Sequence, residues 1–245
     1  MAAAVEVHGV SKTFRIPHEQ RHYLKEYFLH PFRRVTYERN EALKDVSFSV
    51  DQGEFFGIFG PNGSGKSTLL RILAGIYVPD RGRVRVNGLL SPFIELGVGF
   101  NLELNARDNI RINTALAGLT KREVEQKFDE IMAFSELERF VDQQLKNYSS
   151  GMLMRLAYSI AIQIPFDVLL LDEVLAVGDQ SFQEKCFASF ERFKAEGKTV
   201  VLVTHDLELL RRFADRVLLL EHGVVHAVGP PDEVTEVYRA GTLVA

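Results

Sequence analysis

The sequence predicts an α/β fold built on a parallel sheet, with an antiparallel β layer and a helical subdomain, and three observations predict it. Apolar runs of strand length at residues 55–59, 168–171, 199–203 and 216–220 are separated by helical patterns, as in a parallel sheet whose strands are joined by helices. The first of these runs leads into Gly60-Pro61-Asn62-Gly63-Ser64-Gly65-Lys66-Ser67-Thr68, which fits the phosphate-loop string G-x-x-x-x-G-K-[ST] in its strand–loop–helix setting. Residues 5–10 and 42–50 alternate apolar and polar side chains, the pattern of a half-buried antiparallel layer.

The elements follow in order. After the loop, Leu69-Leu70-Arg71-Ile72-Leu73-Ala74 is apolar and helix-compatible. Asn87-Gly88 and His222-Gly223 are hairpin turn signals. From Leu102 to Asn147 the pattern is helical, and Thr120 with Glu123 forms a capping box for a helix running to Phe134. A further helix follows Gly151, with Leu153, Leu156, Ala157, Ile160 and Ile164 as its apolar positions. The run at 199–203 reads as a strand buried on both faces. Asp206 opens a helix to Ala214, and Pro230-Pro231-Asp232 begins a last one. We read one domain over 1–245, with a helical subdomain over about 91–150 and an amphipathic insertion over about 15–39.

Composition narrows the function classes. A formal charge of -4 argues against nucleic acid as a partner. The single Cys186 cannot form an intrachain disulfide and fits a reducing compartment. The N-terminus lacks a basic start followed by an apolar core, so no signal peptide is expected. No apolar run reaches the ~18 residues of a membrane span. The chain is expected to be soluble by itself and to rely on a partner for any work at a membrane.

The candidate site starts from the loop. Gly60, Gly63 and Gly65 let the backbone curl so that its N–H groups converge, and the following helix adds its dipole. Lys66 can reach β- and γ-phosphates, and the Ser67 hydroxyl can ligate Mg²⁺. The apolar run at 169–171 ends in Asp172-Glu173. A strand end beside a phosphate loop suits a Mg²⁺-associated carboxylate, assigned to Asp172, and a general base for water, assigned to Glu173.

Before that strand stands Tyr148-Ser149-Ser150-Gly151-Met152, and after the next one Thr204-His205-Asp206. Together with the loop and Asp172-Glu173, in this order, they resemble the ATP-binding cassette (ABC) ATPase family, from Val5 to about Val225. The family signature is Leu-Ser-Gly-Gly-Gln, of which Ser149 and Gly151 match while three positions depart. The resemblance implies a P-loop NTPase of ABC type that binds ATP and Mg²⁺, and a head-to-tail homodimer on two copies of a membrane permease, at the cytoplasmic face of the cell membrane. It implies that Ser149 and Gly151 cap the ATP of the opposite subunit, that His205 is the switch histidine at the γ-phosphate, and that Asp179 faces the partner. Adenine would stack on Phe14, with Tyr37 as the second candidate.

Two departures narrow the resemblance. The Gln expected between the loop and the helical region is missing, and Glu95 is the nearest polar residue. The string Glu95-Leu96-Gly97-Val98-Gly99-Phe100 with Tyr148 to Met152 looks like the subfamily that exports lipid-linked polysaccharides such as O-antigen, teichoic acid or capsule. The insertion places Tyr23, Leu24, Tyr27 and Phe28 at helical spacing beside Arg21, Lys25, Arg33, Arg34 and Arg39, an amphipathic stretch suited to a membrane surface or permease. The alternatives are an importer or drug exporter, a soluble mechanochemical ATPase, or a module that only senses ATP. Ending at Ala245, the chain is expected to lack a sugar-cap-binding domain.

Overall fold

The computed structural model describes residues 2–17, 37–93, 99–172 and 179–242. Two sheets and their helices stack in layers. Strands β1 (Ala3–Pro17), β2 (Tyr37–Asp51) and β4 (Arg81–Val86) form an antiparallel sheet in the order β2-β1-β4. The second sheet holds β5 (Leu90–Phe93), β6 (Val168–Leu171), β7 (Thr199–Val203), β3 (Phe55–Phe59), β8 (Arg216–Glu221) and β9 (Val224–Gly229), side by side in that order. All of its pairings are parallel except β8 with β9.

Strands β3, β6 and β7 are buried along their whole length, because each face of the sheet is covered. Their side chains alternate between two cores. Phe55, Phe59, Leu169, Leu171, Val200 and Leu202 pack against α4 (Ser150–Gln163), α5 (Gln180–Ala195), α6 (Leu207–Phe213) and α7 (Pro231–Thr242). Phe56, Ile58, Leu170, Val201 and Val203 pack on the other side against α1 (Lys66–Leu73) and the antiparallel sheet.

Helices α2 (Ala106–Leu116) and α3 (Lys121–Ser135) bury Ala106, Ile110, Ile131 and Met132 in a third cluster with Leu156 and Ile160 of α4. Helix α4 therefore serves two cores. Its Leu156 and Ile160 face the helical part, while Met154, Tyr158 and Ala161 enter the sheet core. The expected stripe caught the first face and, of the second, only Ala157. The Thr120–Glu123 capping box is present at the start of α3.

Three sequence expectations are corrected. Asn87-Gly88 is no hairpin: β4 ends one sheet and β5 begins the other, and the Asn87 amide is held by Ala3 O at 2.8 Å. Ser91 lies within β5, paired with Leu169, so the helical subdomain begins after that strand rather than at 91. The insertion is shorter than 15–39, because Arg15 pairs with Arg39 and Pro17 with Tyr37 as a continuation of the β1–β2 ribbon. Tyr23, Leu24, Tyr27 and Phe28 lie outside the described residues with Arg21, Lys25, Arg33 and Arg34, whereas Arg39 is in β2; Glu95 to Val98 also lie outside.

Candidate nucleotide-binding site

Strand β3 lies between β7 and β8 and delivers residues 60–65 at its carboxyl end, where open α/β sheets bind ligands. The loop is packed so tightly that two glycines are obligatory. A Cβ on Gly60 would sit 2.0 Å from Leu220 O. Gly65 has φ 106°, and its Cβ would meet Ala42 O at 2.5 Å. The loop is also stitched to the β8–β9 hairpin: Gly223 N donates to Ser64 O at 3.0 Å, and Lys44 N donates to Gly223 O at 2.8 Å. That hairpin turn has φ 49° at His222 and 78° at Gly223, both positive as a two-residue I′ turn requires.

Lys66 opens α1 and is only 6% exposed. Its ammonium curls back to Gly60 O at 2.8 Å and Pro61 O at 3.0 Å. Burial pushes its pKa down, against the opposing pull of the Asp172 carboxylate. Asp172 follows β6, its N–H donating to Phe93 O at 3.0 Å. Burial pushes its pKa up, opposed by Arg71 and then Lys66. For both groups loss of water outweighs the mutual attraction. Ser64 Oγ is the only buried side-chain polar atom without a hydrogen-bond partner among the described residues. An orphaned hydroxyl and a desolvated cation on one loop suit a ligand rich in anionic oxygens.

The cleft over this loop measures about 660 Å³. Asn62, Gly63, Gly65, Lys66, Ser67 and Thr68 line it from the loop side, and Phe14, Glu38 and Asn40 from the β1–β2 ribbon. Phe14 stands edge-on to Tyr77 with ring centres 5.6 Å apart. Tyr37 is 56% exposed and outside this lining. The lining also includes His222, which sequence reasoning read only as part of a turn; its approach to the loop is long-range and leaves no local signal.

His205 follows β7 and lines a neighbouring cleft of about 420 Å³ together with Asp172. Thr204 Oγ1 accepts from Asp206 N at 3.0 Å, and Asp206 caps α6. Asp172 therefore borders the His205 cleft while acting electrostatically on Lys66. Glu173 lies outside the described residues.

Ser149 and Gly151 stand apart. Ser149 caps α4, its hydroxyl accepting from Met152 N at 3.2 Å, and neither residue lines either cleft. The start of α4 is tied to α5 by Arg155, which is 15% exposed at its side chain. Arg155 pairs with Glu136 at 2.8 Å and with Asp179, the cap of α5. Glu136 ends α3 at φ 59° and also pairs with Lys185.

Among the described residues no three His, Cys, Asp or Glu side chains gather as a metal cage. Mg²⁺ needs none, since it keeps waters and substrate oxygens and takes one or two protein ligands. The Ser67 hydroxyl and the Asp172 carboxylate are a donor set of that kind.

The fold and loop define a phosphate-loop nucleotide-binding domain. The chain belongs to the ABC transporter family, whose profile matches residues 43–176. As such it is an ATP-binding ATPase domain. It is 38% identical over 242 residues to the O-antigen export system ATP-binding protein RfbB of Klebsiella pneumoniae, covering 98% of each chain. Against the RfbB of Myxococcus xanthus the identity is 45% over 204 residues, 83% of this chain and 47% of that one, so the chain spans about half of that relative's length. The teichoic acids export ATP-binding protein TagH of Lactococcus lactis is 42% identical over 81% of this chain and 42% of its own. Among solved structures, an ATP-binding subunit of an ABC transporter superposes with TM-score 0.78 at 24% identity, over 96% of this chain and 93% of that one. A dimeric ATP-binding cassette bound to ADP and Pi superposes with TM-score 0.74 at 24% identity, over 93% of this chain and 98% of that one. These two likenesses bear on the fold.

Proposed function

We propose that the chain is the ATP-hydrolysing subunit of an exporter that moves a lipid-linked polysaccharide, of the O-antigen, teichoic-acid or capsule kind, across the cytoplasmic membrane. The observation that carries this reading is the end-to-end likeness, 98% of each chain, to an O-antigen export ATP-binding protein. No described helix is long and apolar enough to cross a membrane. In this reading a permease pair holds the subunit at the cytoplasmic face.

The loop N–H groups and Lys66 hold the β- and γ-phosphates, and Ser67 and Asp172 hold Mg²⁺. Bound Mg²⁺ would neutralise phosphate charge. Burial disfavours the charged forms of both Lys66 and Asp172, moving the first pKa down and the second up. Phosphate oxygens favour the ammonium, and a divalent cation favours the carboxylate. The substrate therefore supplies the compensation that burial withholds. Phe14 serves as the adenine platform. Glu173 takes a proton from the attacking water, and His205 contacts the γ-phosphate.

In this reading Ser149 and Gly151, which line neither of the two clefts, act on the ATP of a second copy in a head-to-tail homodimer. The N-terminus of α4 directs its free N–H groups and dipole to that phosphate. Closure rests on contacts to a γ-phosphate that is present before hydrolysis and absent afterwards.

The test is depletion of the protein in its native cell, with lipid-linked glycan followed on both sides of the membrane. Glycan accumulating inside while synthesis continues supports the reading. Unchanged surface glycan with a drug or small-solute phenotype overturns the substrate class and leaves the ATPase in place.

A further inference from the structure

We propose that Asn40 reads the edge of the nucleobase and gives this site a preference for adenine over guanine nucleotides. The inference rests on the assignment of the loop cleft to a nucleoside triphosphate. Beyond the body of the antiparallel sheet, β1 and β2 continue as a two-stranded ribbon in which Phe14 faces Asn40 and Ile16 faces Glu38. Side chains alternate between the faces of such a ribbon. Phe14, Ile16, Glu38 and Asn40 line the cleft over the phosphate loop and not its neighbour, Thr13 and Arg15 line only the neighbour, and Arg39 and Glu41 border both.

Position along the ribbon follows from the loop contact. Ala42 meets the loop at Gly65, where its carbonyl would lie 2.5 Å from an added Cβ. Asn40 is two residues further out, about 7 Å along the strand, and lines the same cleft as Ala42. A triphosphate seated on the loop and extending along this face brings its base to the Phe14–Asn40 pair. Directly opposed residues hold their Cβ atoms about 5 Å apart, so an aromatic platform and a carboxamide stand side by side. The Asn40 side chain is exposed and lines this cleft.

The chemistry separates the two purines. A carboxamide offers an acceptor and a donor next to each other. Adenine presents the complementary pair, the N6 amino donor beside the N7 acceptor. Guanine stacked in the same pose presents two acceptors on that edge, O6 and N7, which leave the carboxamide oxygen facing an acceptor. One such bidentate contact changes affinity on the order of tenfold.

The experiment measures dissociation constants of the full chain for ATP and GTP, by titration calorimetry, in the wild type, Asn40→Ala, Asn40→Ser and Lys66→Met. Asn40 is exposed, and thermal melts verify that its two variants are folded. The wild type should prefer ATP by about tenfold. Both Asn40 variants should lose about that factor for ATP and keep GTP affinity within about twofold. A wild type without preference, or variants that keep it, overturns the proposal while loss of both nucleotides in Lys66→Met leaves the loop assignment standing. If Lys66→Met binds ATP as well as the wild type does, the loop assignment itself falls and takes the Asn40 reading with it.

Discussion

Lys66→Met isolates the electrostatics of the site, because methionine keeps most of the stem and removes the ammonium. In the free protein that ammonium donates to Gly60 O and Pro61 O. A nucleotide recruits it by exchanging those neutral acceptors for phosphate oxygens. The exchange is worth about one charged hydrogen bond, ~1.5–3 kcal/mol, so ATP affinity should fall by roughly ten- to 150-fold. Stability should move differently. Burial holds the folded Lys66 pKa below its ordinary value of 10.5. The folded chain then binds fewer protons than the unfolded chain in the window just below 10.5, and stability attributable to Lys66 rises with pH there. The methionine variant lacks that rise. Thermal melts of both proteins from neutral pH towards 10, with ATP titrations at neutral pH, measure the two effects. Melting curves that stay parallel across the pH range would refute the burial argument. An unchanged ATP affinity would refute the phosphate role.

Other perturbations test separate parts. Glu173→Gln should bind ATP, hydrolyse it very slowly and accumulate closed dimers, seen by size-exclusion chromatography; normal turnover removes Glu173 from the role of base. Gly65→Ala places a side chain at φ 106° against the Ala42 carbonyl, at a cost of about 1–3 kcal/mol. Its melting temperature should drop by roughly 2–12 °C, and an unaltered melt shows that the loop and β2 can separate freely. Arg155→Ala releases Asp179 and one oxygen of Glu136. It should weaken ATP-driven dimerisation while leaving ATP binding by the single chain as it was, and equal dimerisation would make that cluster irrelevant to assembly. Alanine at both Tyr27 and Phe28 should reduce glycan export with ATP binding intact; full export excludes that stretch from the transport path.

What could be read from the sequence was local. The loop, the Thr120–Glu123 box, the Asp206 cap and the β8–β9 turn each declare themselves within a few residues. Asn87-Gly88 failed because a turn signal does not say whether the next strand returns to its neighbour, and β5 instead joins β6. On the second face of α4, of which the stripe held only Ala157, Tyr158 was missed because it is polar at its tip, yet it is fully buried with its hydroxyl 2.6 Å from Ser189 Oγ. Phe14 was named through the family resemblance and lines the cleft from within β1, whereas Asn40 and His222 arrive there through strand pairing and a distant hairpin. Glu136 at positive φ was invisible, since its left-handed backbone is held by Arg155 and Lys185 from two other helices.

The stitch from Gly223 to Ser64 imposes an order of events during synthesis. The phosphate loop leaves the ribosome early, but both neighbours of β3 belong to residues 199–221. At ~5–20 residues per second, roughly ten to thirty seconds pass before the hairpin that pins the loop has been made. During that interval the strand's two hydrogen-bonding edges have no native partner, and its Phe55-Phe56-Gly57-Ile58-Phe59 segment is exposed to pairing with other chains. A nascent chain stalled before Gly223 would carry the complete loop string without the geometry to hold a phosphate.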